Sequence, residues 1–236
     1  MTMPYASVTT PNTTTVPSAF DVAIPGVVGL KGTGFYRTTV QVTAGRKSRV
    51  LFAACSFYCR VFFDGVDAGD HRAGGYAPFW LDMPASSSSK REIVVLANNE
   101  FNSTRAPVHT GGDFYNYGGI TRSVVVRELS AAATAADLYV KRLEVLPVQA
   151  ESAPFTSDLR FVMGGSGAKA GVKLDIDVGV NGAKTGTLSV TLGTDGSAIV
   201  PAFKLPSSIG LWAPGAGARA SLYTMEASIS SLDDSI

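Results

Sequence analysis

Apolar and polar residues alternate along much of the chain with a period of two, the spacing of a strand that buries one face. The clearest run is Val172, Leu174, Ile176 and Val178, interleaved with Lys173, Asp175 and Asp177. Leu188, Val190 and Leu192 repeat it. The same reading predicts strands at 35–42, 78–83, 92–98, 122–129, 138–148, 199–205 and 222–229. In the first of these, Tyr36, Thr38, Val40 and Val42 share a face. Residues 49–63 form one long run of aromatic and branched side chains, broken near Cys55 and Ser56, and Asp64-Gly65 then suits a tight hairpin turn. Residues 85–90, with four consecutive serines, read as a solvated loop, and 1–20 as an extended arm.

Strands follow one another without intervening helices, and their number exceeds what one sandwich needs. The uncharged Ala/Thr run at 130–136 marks a junction. The expected architecture is therefore all-β, with one sandwich over residues 1–133 and a second over 134–236. Composition agrees: 25 Gly and 12 Pro among 236 residues suit short elements joined by turns. Lys and Arg number 20 against 19 Asp and Glu, a net charge of +1, which gives no general pull toward nucleic acid or an anionic membrane. The two parts differ little, 12 − 9 = +3 over 1–130 and 8 − 10 = −2 over 131–236. No apolar run reaches the length of a membrane-spanning helix, and the N-terminus lacks the pattern of a secretory signal.

The two cysteines, Cys55 and Cys59, are four apart. On a continuous strand their Cα atoms would lie about 13 Å apart, beyond the reach of a disulfide. Two buried free thiols are the expectation, which favours a reducing, cytoplasmic setting. Asn12-Thr13-Thr14 and Asn102-Ser103-Thr104 match the glycosylation sequon, which matters only after secretion. His71 and His109 lack the spacing of a zinc site and read as surface loop residues. Gly164-Gly165-Ser166-Gly167 reads as a hairpin turn, and Asp175 and Asp177 as members of a solvated strand face. No cofactor or metal motif is present. Residues 109–122 stand apart, with four glycines, three aromatics, an Asp and an Asn just before a strand. Aromatic faces beside a fixed carboxylate suit a sugar, whose C–H faces need a platform and whose hydroxyls need partners. A tight loop whose Tyr and Asn satisfy local backbone groups is the equal alternative.

The segment Gly112-Asp113-Phe114-Tyr115-Asn116-Tyr117-Gly118-Gly119-Ile120-Thr121-Arg122 resembles the Asp-Phe-Phe-Asn-Tyr-Ala-Gly-Ile-x-Arg stretch of the β-glucuronidases. These belong to glycoside hydrolase family 2, with the β-galactosidases and β-mannosidases. Further landmarks of that family have counterparts in order: Val16-Pro17-Ser18-Ala19-Phe20, Gly34-Phe35-Tyr36-Arg37, Val61 to Gly65, His71 to Phe79, and Leu211-Trp212-Ala213-Pro214 with Leu222-Tyr223-Thr224-Met225. Asp64 stands where the family has the Asn of an Asn-Gly turn, and the family's opening strand with its Trp is missing.

The resemblance implies an N-terminal jelly-roll (galactose-binding-like) sandwich and an immunoglobulin-like sandwich. In the family these precede a catalytic barrel that holds two glutamates and needs about 250 residues. Two sandwiches occupy the 236 residues here, so the chain is expected to be the non-catalytic portion of a β-glycosidase and inactive alone. The resemblance gives Asp113 a contact with a sugar hydroxyl in the barrel's site. Asn116 and Tyr117 are neighbouring substrate-binding candidates; they and Arg122 also match positions that fix the loop. His71, Gly75, Tyr76 and Phe79 are read as packing and turn geometry, and Trp212 as packing at the edge of the second sandwich. The implied partners are a terminal β-linked sugar and a docked barrel, and a homo-oligomer is compatible with the sequence. The alternatives are a stand-alone carbohydrate-binding protein and a purely structural pair of sandwiches.

Overall fold

The computed structural model describes residues 12–72, 74–100, 115–147, 154–210 and 222–232. The chain divides into two compact units, Met1–Ala131 and Ala132–Ile236. Both are built from antiparallel sheets, so the all-β class holds.

In the first unit β1 (Thr33–Gln41), β3 (Tyr58–Phe63), β4 (Val66–His71) and β6 (Lys90–Asn98) form a sheet in the order β1-β6-β3-β4. A second sheet has the order β5-β2-β7, from β2 (Ser48–Phe52), β5 (Phe79–Met83) and β7 (Val124–Glu128). Alternation sends one face of each sheet into a common core. Val50, Phe52 and Met83 enter it from one sheet, and Val61, Phe63, Ile93 and Val95 from the other. Tyr36 and Val40 pack against that core as their shared face predicts.

The turn at Asp64-Gly65 forms with positive φ at both residues, 48° and 79°. The Asp at the first position of this turn has a structural reason. Its Oδ1 accepts the Glu92 amide at 2.8 Å, and its Oδ2 accepts Nε of Arg91, whose side chain is 5% exposed. Only a carboxylate supplies the countercharge for that buried guanidinium.

The cysteine expectation is overturned. Cys55 and Cys59 form a disulfide, with Cα atoms 6.2 Å apart and both residues wholly buried. The chain leaves the extended conformation after β2, and Ser56 makes only an isolated bridge to Gly119 before β3 begins. The 13 Å separation applies to an unbroken strand, and the break near Cys55 and Ser56 halves it. The premise for a reducing compartment goes with it. No helix among the described residues is long and apolar enough to cross a membrane.

The second unit pairs β10 (Lys173–Val180) with β11 (Ala183–Thr191) and β13 (Met225–Leu232), and β9 (Thr156–Gly164) with β8 (Tyr139–Pro147) and β12 (Ser197–Lys204). Leu159, Phe161, Ile176 and Val178, all with no exposed surface, fill the core between the two sheets. The Gly164–Gly167 segment is no hairpin turn. It carries the chain from β9 in one sheet to β10 in the other, anchored where Ser166 and Gly167 donate their amides to Asp137. The Ala/Thr junction contains a short helix, α2 (Ala131–Ala136), as the helix propensity of alanine allows.

Candidate functional site

The glycine- and aromatic-rich loop is anchored by a residue far from it in sequence. A four-residue helix, α1 (Phe20–Ala23), sets Asp21 beneath the loop with no exposed surface. Asp21 Oδ1 accepts the Gly118 amide at 2.9 Å, and Oδ2 accepts Asn99 Nδ2 at 3.1 Å. Lys31 Nζ lies 3.7 Å from the same Oδ2. A buried carboxylate persists only with such partners, and here an amide, a carboxamide and an ammonium surround it.

The second layer of contacts ties the loop backbone to the same group. Lys31 Nζ donates to the Asn116 carbonyl at 2.7 Å and sits 4.0 Å from the centre of the Tyr115 ring. Asn99 Nδ2 also reaches the carbonyls of Leu30 at 3.0 Å and Asn116 at 3.2 Å, while its Oδ1 accepts the Gly32 amide at 2.9 Å. The arm and the first residue of α1 complete the clamp, with Ser18 and Phe20 donating their amides to Ile120 and Gly118, each at 2.8 Å.

The Gly118-Gly119 pair follows from this packing. A Cβ at Gly118 would press into the Phe20 ring and reach within 2.8 Å of Asn99 Cγ. At Gly119, with φ of 137°, a Cβ would meet the Tyr36 hydroxyl and come 2.7 Å from the Ser18 carbonyl. The Tyr36 hydroxyl donates to that Ser18 carbonyl at 3.2 Å, and burial raises its pKa above the ordinary value.

The loop presents two aromatic rings outward. Tyr115 and Tyr117 are 42% and 46% exposed, with ring centres 4.7 Å apart. Partial desolvation, then hydrogen bonding with the Asp21 carboxylate, raises the pKa of the Tyr115 hydroxyl. Beside these rings lies the Lys31 ammonium, giving a small surface of stacking faces, hydroxyls and one cation.

The sequence-derived candidates are therefore divided. Asp113 and His109 lie outside the described residues, as does Trp212. Tyr117 faces outward, whereas Asn116 is 1% exposed and its Nδ2 makes no hydrogen bond among the described residues. Arg122 is exposed and donates to the Tyr76 carbonyl at 3.4 Å. His71 differs from the surface-loop expectation. It ends β4, stacks on Phe79 with ring centres 4.3 Å apart, and places Nε2 3.1 Å from the Gly74 carbonyl. Asp175 and Asp177 do lie on the face away from the core, held by Ser189 and Ser231 and by Thr187 and Lys184. The described residues contain no group of three or more His, Cys, Asp or Glu that could hold a metal ion. Sequence reasoning misses Asp21, Lys31 and Asn99, since nothing in their local pattern distinguishes them.

Solved structures share the fold of these two antiparallel units. A β-glucuronidase from Parabacteroides merdae with glycerol in its active site superposes with a TM-score of 0.68 at 16% identity, over 98% of this chain and 31% of its own. A Bifidobacterium dentium β-glucuronidase complexed with coumarin-3-O-glucuronide gives 0.67 at 19% identity, over 95% of this chain and 41% of its own. A GH2 β-galacturonidase from Eisenbergiella tayi bound to galacturonate gives 0.66 at 21% identity, over 84% and 33%. At these identities the likeness is one of fold, and the chain spans 31% to 41% of those proteins' length. No family model and no curated protein matches the sequence.

Proposed function

We propose that the chain is the non-catalytic N-terminal portion of a β-glycosidase of glycoside hydrolase family 2, acting on a terminal β-linked sugar through a barrel outside these residues. The observation that carries this reading is the fold likeness to β-glucuronidases and a β-galacturonidase, which spans nearly all of this chain and about a third of theirs. The ordered landmarks of the sequence support it independently. In this reading the first unit is a jelly roll and the second an immunoglobulin-like sandwich, and Asp113 is the residue whose carboxylate contacts the barrel's sugar. Tyr117 and Asn116 complete the loop, the first on its surface and the second within it.

The reading frame beyond Ile236 tests this. A further 250 or so residues with a barrel's strand–helix rhythm are expected, and a stop codon directly after Ile236 overturns the proposal. Residues 1–236 alone should not hydrolyse nitrophenyl β-glucuronide or β-galacturonide; turnover by this chain would equally refute it. In the extended enzyme, Asp113→Asn should lower kcat/KM about 10- to 100-fold by removing one charge-assisted hydrogen bond. Unchanged kinetics would remove Asp113 from the substrate contact.

A further inference from the structure

The hairpin that joins β10 to β11 turns on Asn181 and Gly182, the one place in the sequence where Asn precedes Gly. Val180 pairs with Ala183, so these two residues make up the whole turn, with φ of 51° and 79°. Positive φ at both positions is the geometry that an Asn-Gly pair serves best. Both residues are exposed.

Asn181 also holds the neighbouring strand. The β10-β13 ladder ends at Val180 and Met225, and Asn181 carries it one residue further. Its amide donates to the Thr224 carbonyl at 2.8 Å, and its side-chain Oδ1 accepts the Thr224 amide at 2.9 Å. The side chain supplies this acceptor because the backbone has already turned toward β11. The carboxamide is thereby fixed by the residue that leads into β13.

An Asn-Gly pair carries its own chemistry, because glycine has no side chain to shield its amide nitrogen. The Gly182 nitrogen gives its proton to hydroxide and attacks Cγ of Asn181. A new N–C bond closes a succinimide ring while the Cγ–Nδ2 bond breaks, and Nδ2 takes up a proton and leaves as ammonia. Water then opens one or the other ring C–N bond, giving aspartate or isoaspartate with no change of oxidation state. Ring closure needs the Gly182 nitrogen to swing over Cβ of Asn181, a rotation about ψ out of the left-handed well. The turn holds Asn181 in that well, and Thr224 holds its Oδ1.

We propose that Asn181 is a deamidation site of the second unit, kept unreactive by the turn and by Thr224 and released when β13 leaves β10. Modification then makes the opening irreversible. Aspartate keeps an acceptor for Thr224, whereas isoaspartate adds a methylene to the main chain in a turn whose length sets the strand register. The inference stands on the second unit alone and depends on neither a sugar nor a barrel.

The 236-residue chain tests this, incubated in mildly alkaline buffer both folded and in urea above its unfolding midpoint. Mass spectrometry of peptides spanning 181–182, with isoaspartyl methyltransferase labelling, quantifies the two products. Deamidation should be about tenfold slower or more in the folded chain, since only molecules open at the hairpin tip react. Below the midpoint, rising urea should speed it as opening becomes more frequent. Thr224→Pro removes the amide that Oδ1 accepts and should raise the folded rate severalfold. The isoaspartate form, purified by ion exchange, should unfold at lower urea than its parent, and Asn181→Asp should not. Equal rates in the folded and unfolded chains overturn the proposal, as does the absence of both products at 181 in the unfolded chain. A folded Thr224→Pro variant that reacts no faster than its parent does the same. If Thr224→Pro does not fold, the urea series decides, and a rate that urea leaves unchanged below the midpoint overturns the proposal.

Discussion

The buried carboxylate of Asp21 accepts the backbone amide of Gly118 at 2.9 Å, across 97 residues of sequence. Asn99 and Lys31 converge on the same carboxylate. Replacing Asp21 with Ala would strand the Gly118 amide in the interior and leave the Lys31 charge without its carboxylate, while Asn99 keeps the Leu30 and Asn116 carbonyls. Loss of one partner of a buried ionic group costs about 3–5 kcal/mol, so Asp21→Ala should destabilise the first unit by that order. Asp21→Asn keeps one acceptor and should cost about half as much. Urea unfolding followed by circular dichroism measures both; a change below about 1 kcal/mol for Asp21→Ala would show that the clamp does not hold the loop.

Gly118 gives a sharper steric test. Its Cβ would overlap the Phe20 ring, which is 5% exposed and has the loop and the arm on either side. Gly118→Ala should therefore cost about 2–3 kcal/mol, as overpacking in a closed site does. Gly186, in β11, is the control, because a Cβ there meets nothing within 4 Å. Gly186→Ala should be neutral or stabilising by about 0.5 kcal/mol through the unfolded chain. Equal losses at the two positions would refute the packing argument.

Alternation makes β10 and β11 legible in the sequence, because the apolar residues of each fall on one face, buried along β10 and half-buried to buried along β11. β4 escapes that reading. Its Val-Asp-Ala-Gly-Asp-His sequence has no apolar alternation, and it is a strand because β3 offers it backbone partners from Cys59 to Phe63. The loop at 115–122 stands out through composition, yet the groups that hold it do not. Asp21 and Asn99 are 78 residues apart, and only the fold makes them neighbours. The disulfide fails for a different reason: spacing implies distance only where the backbone is known to stay extended, and between β2 and β3 it does not.

That disulfide is itself testable. Closing a loop of about five residues removes chain entropy worth about 2 kcal/mol from the unfolded state. Cys55→Ala with Cys59→Ala should lower stability by that amount, and reductant should lower the melting temperature of the parent but not of the double variant. The parent unfolded in guanidinium without reductant should titrate no free thiols. Two thiols found under those conditions would restore the free-cysteine reading.

Asp64 and Arg91 test why this chain departs from an Asn-Gly turn. Asp64→Asn keeps the turn, since Asn tolerates positive φ, but removes the countercharge of a guanidinium that is 5% exposed. Arg91 retains the Pro84 carbonyl at 2.7 Å. Asp64 is 39% exposed, so solvent screens part of the loss, and a cost of about 1–2 kcal/mol is expected. If Asp64→Asn is neutral in urea unfolding, the substitution has no bearing on the buried arginine.

Acid should weaken the second unit through the polar face of β10. Hydrogen bonds from Ser189 and then Ser231 hold the Asp175 carboxyl below its ordinary pKa of 3.8, and Lys184 and Thr187 do the same for Asp177. For a group whose folded pKa is depressed, the unfolded chain binds the proton first as pH falls. The stabilisation is thus complete above the unfolded value and is lost as pH drops from about 4 through the lower folded pKa. Urea midpoints measured from pH 6 down to pH 2.5 should be level at first and then fall. Ser189→Ala combined with Ser231→Ala should shallow that fall while leaving the slope between pH 5 and 6 unchanged. An unaltered acid limb in the double variant would show that these hydroxyls do not set the Asp175 titration.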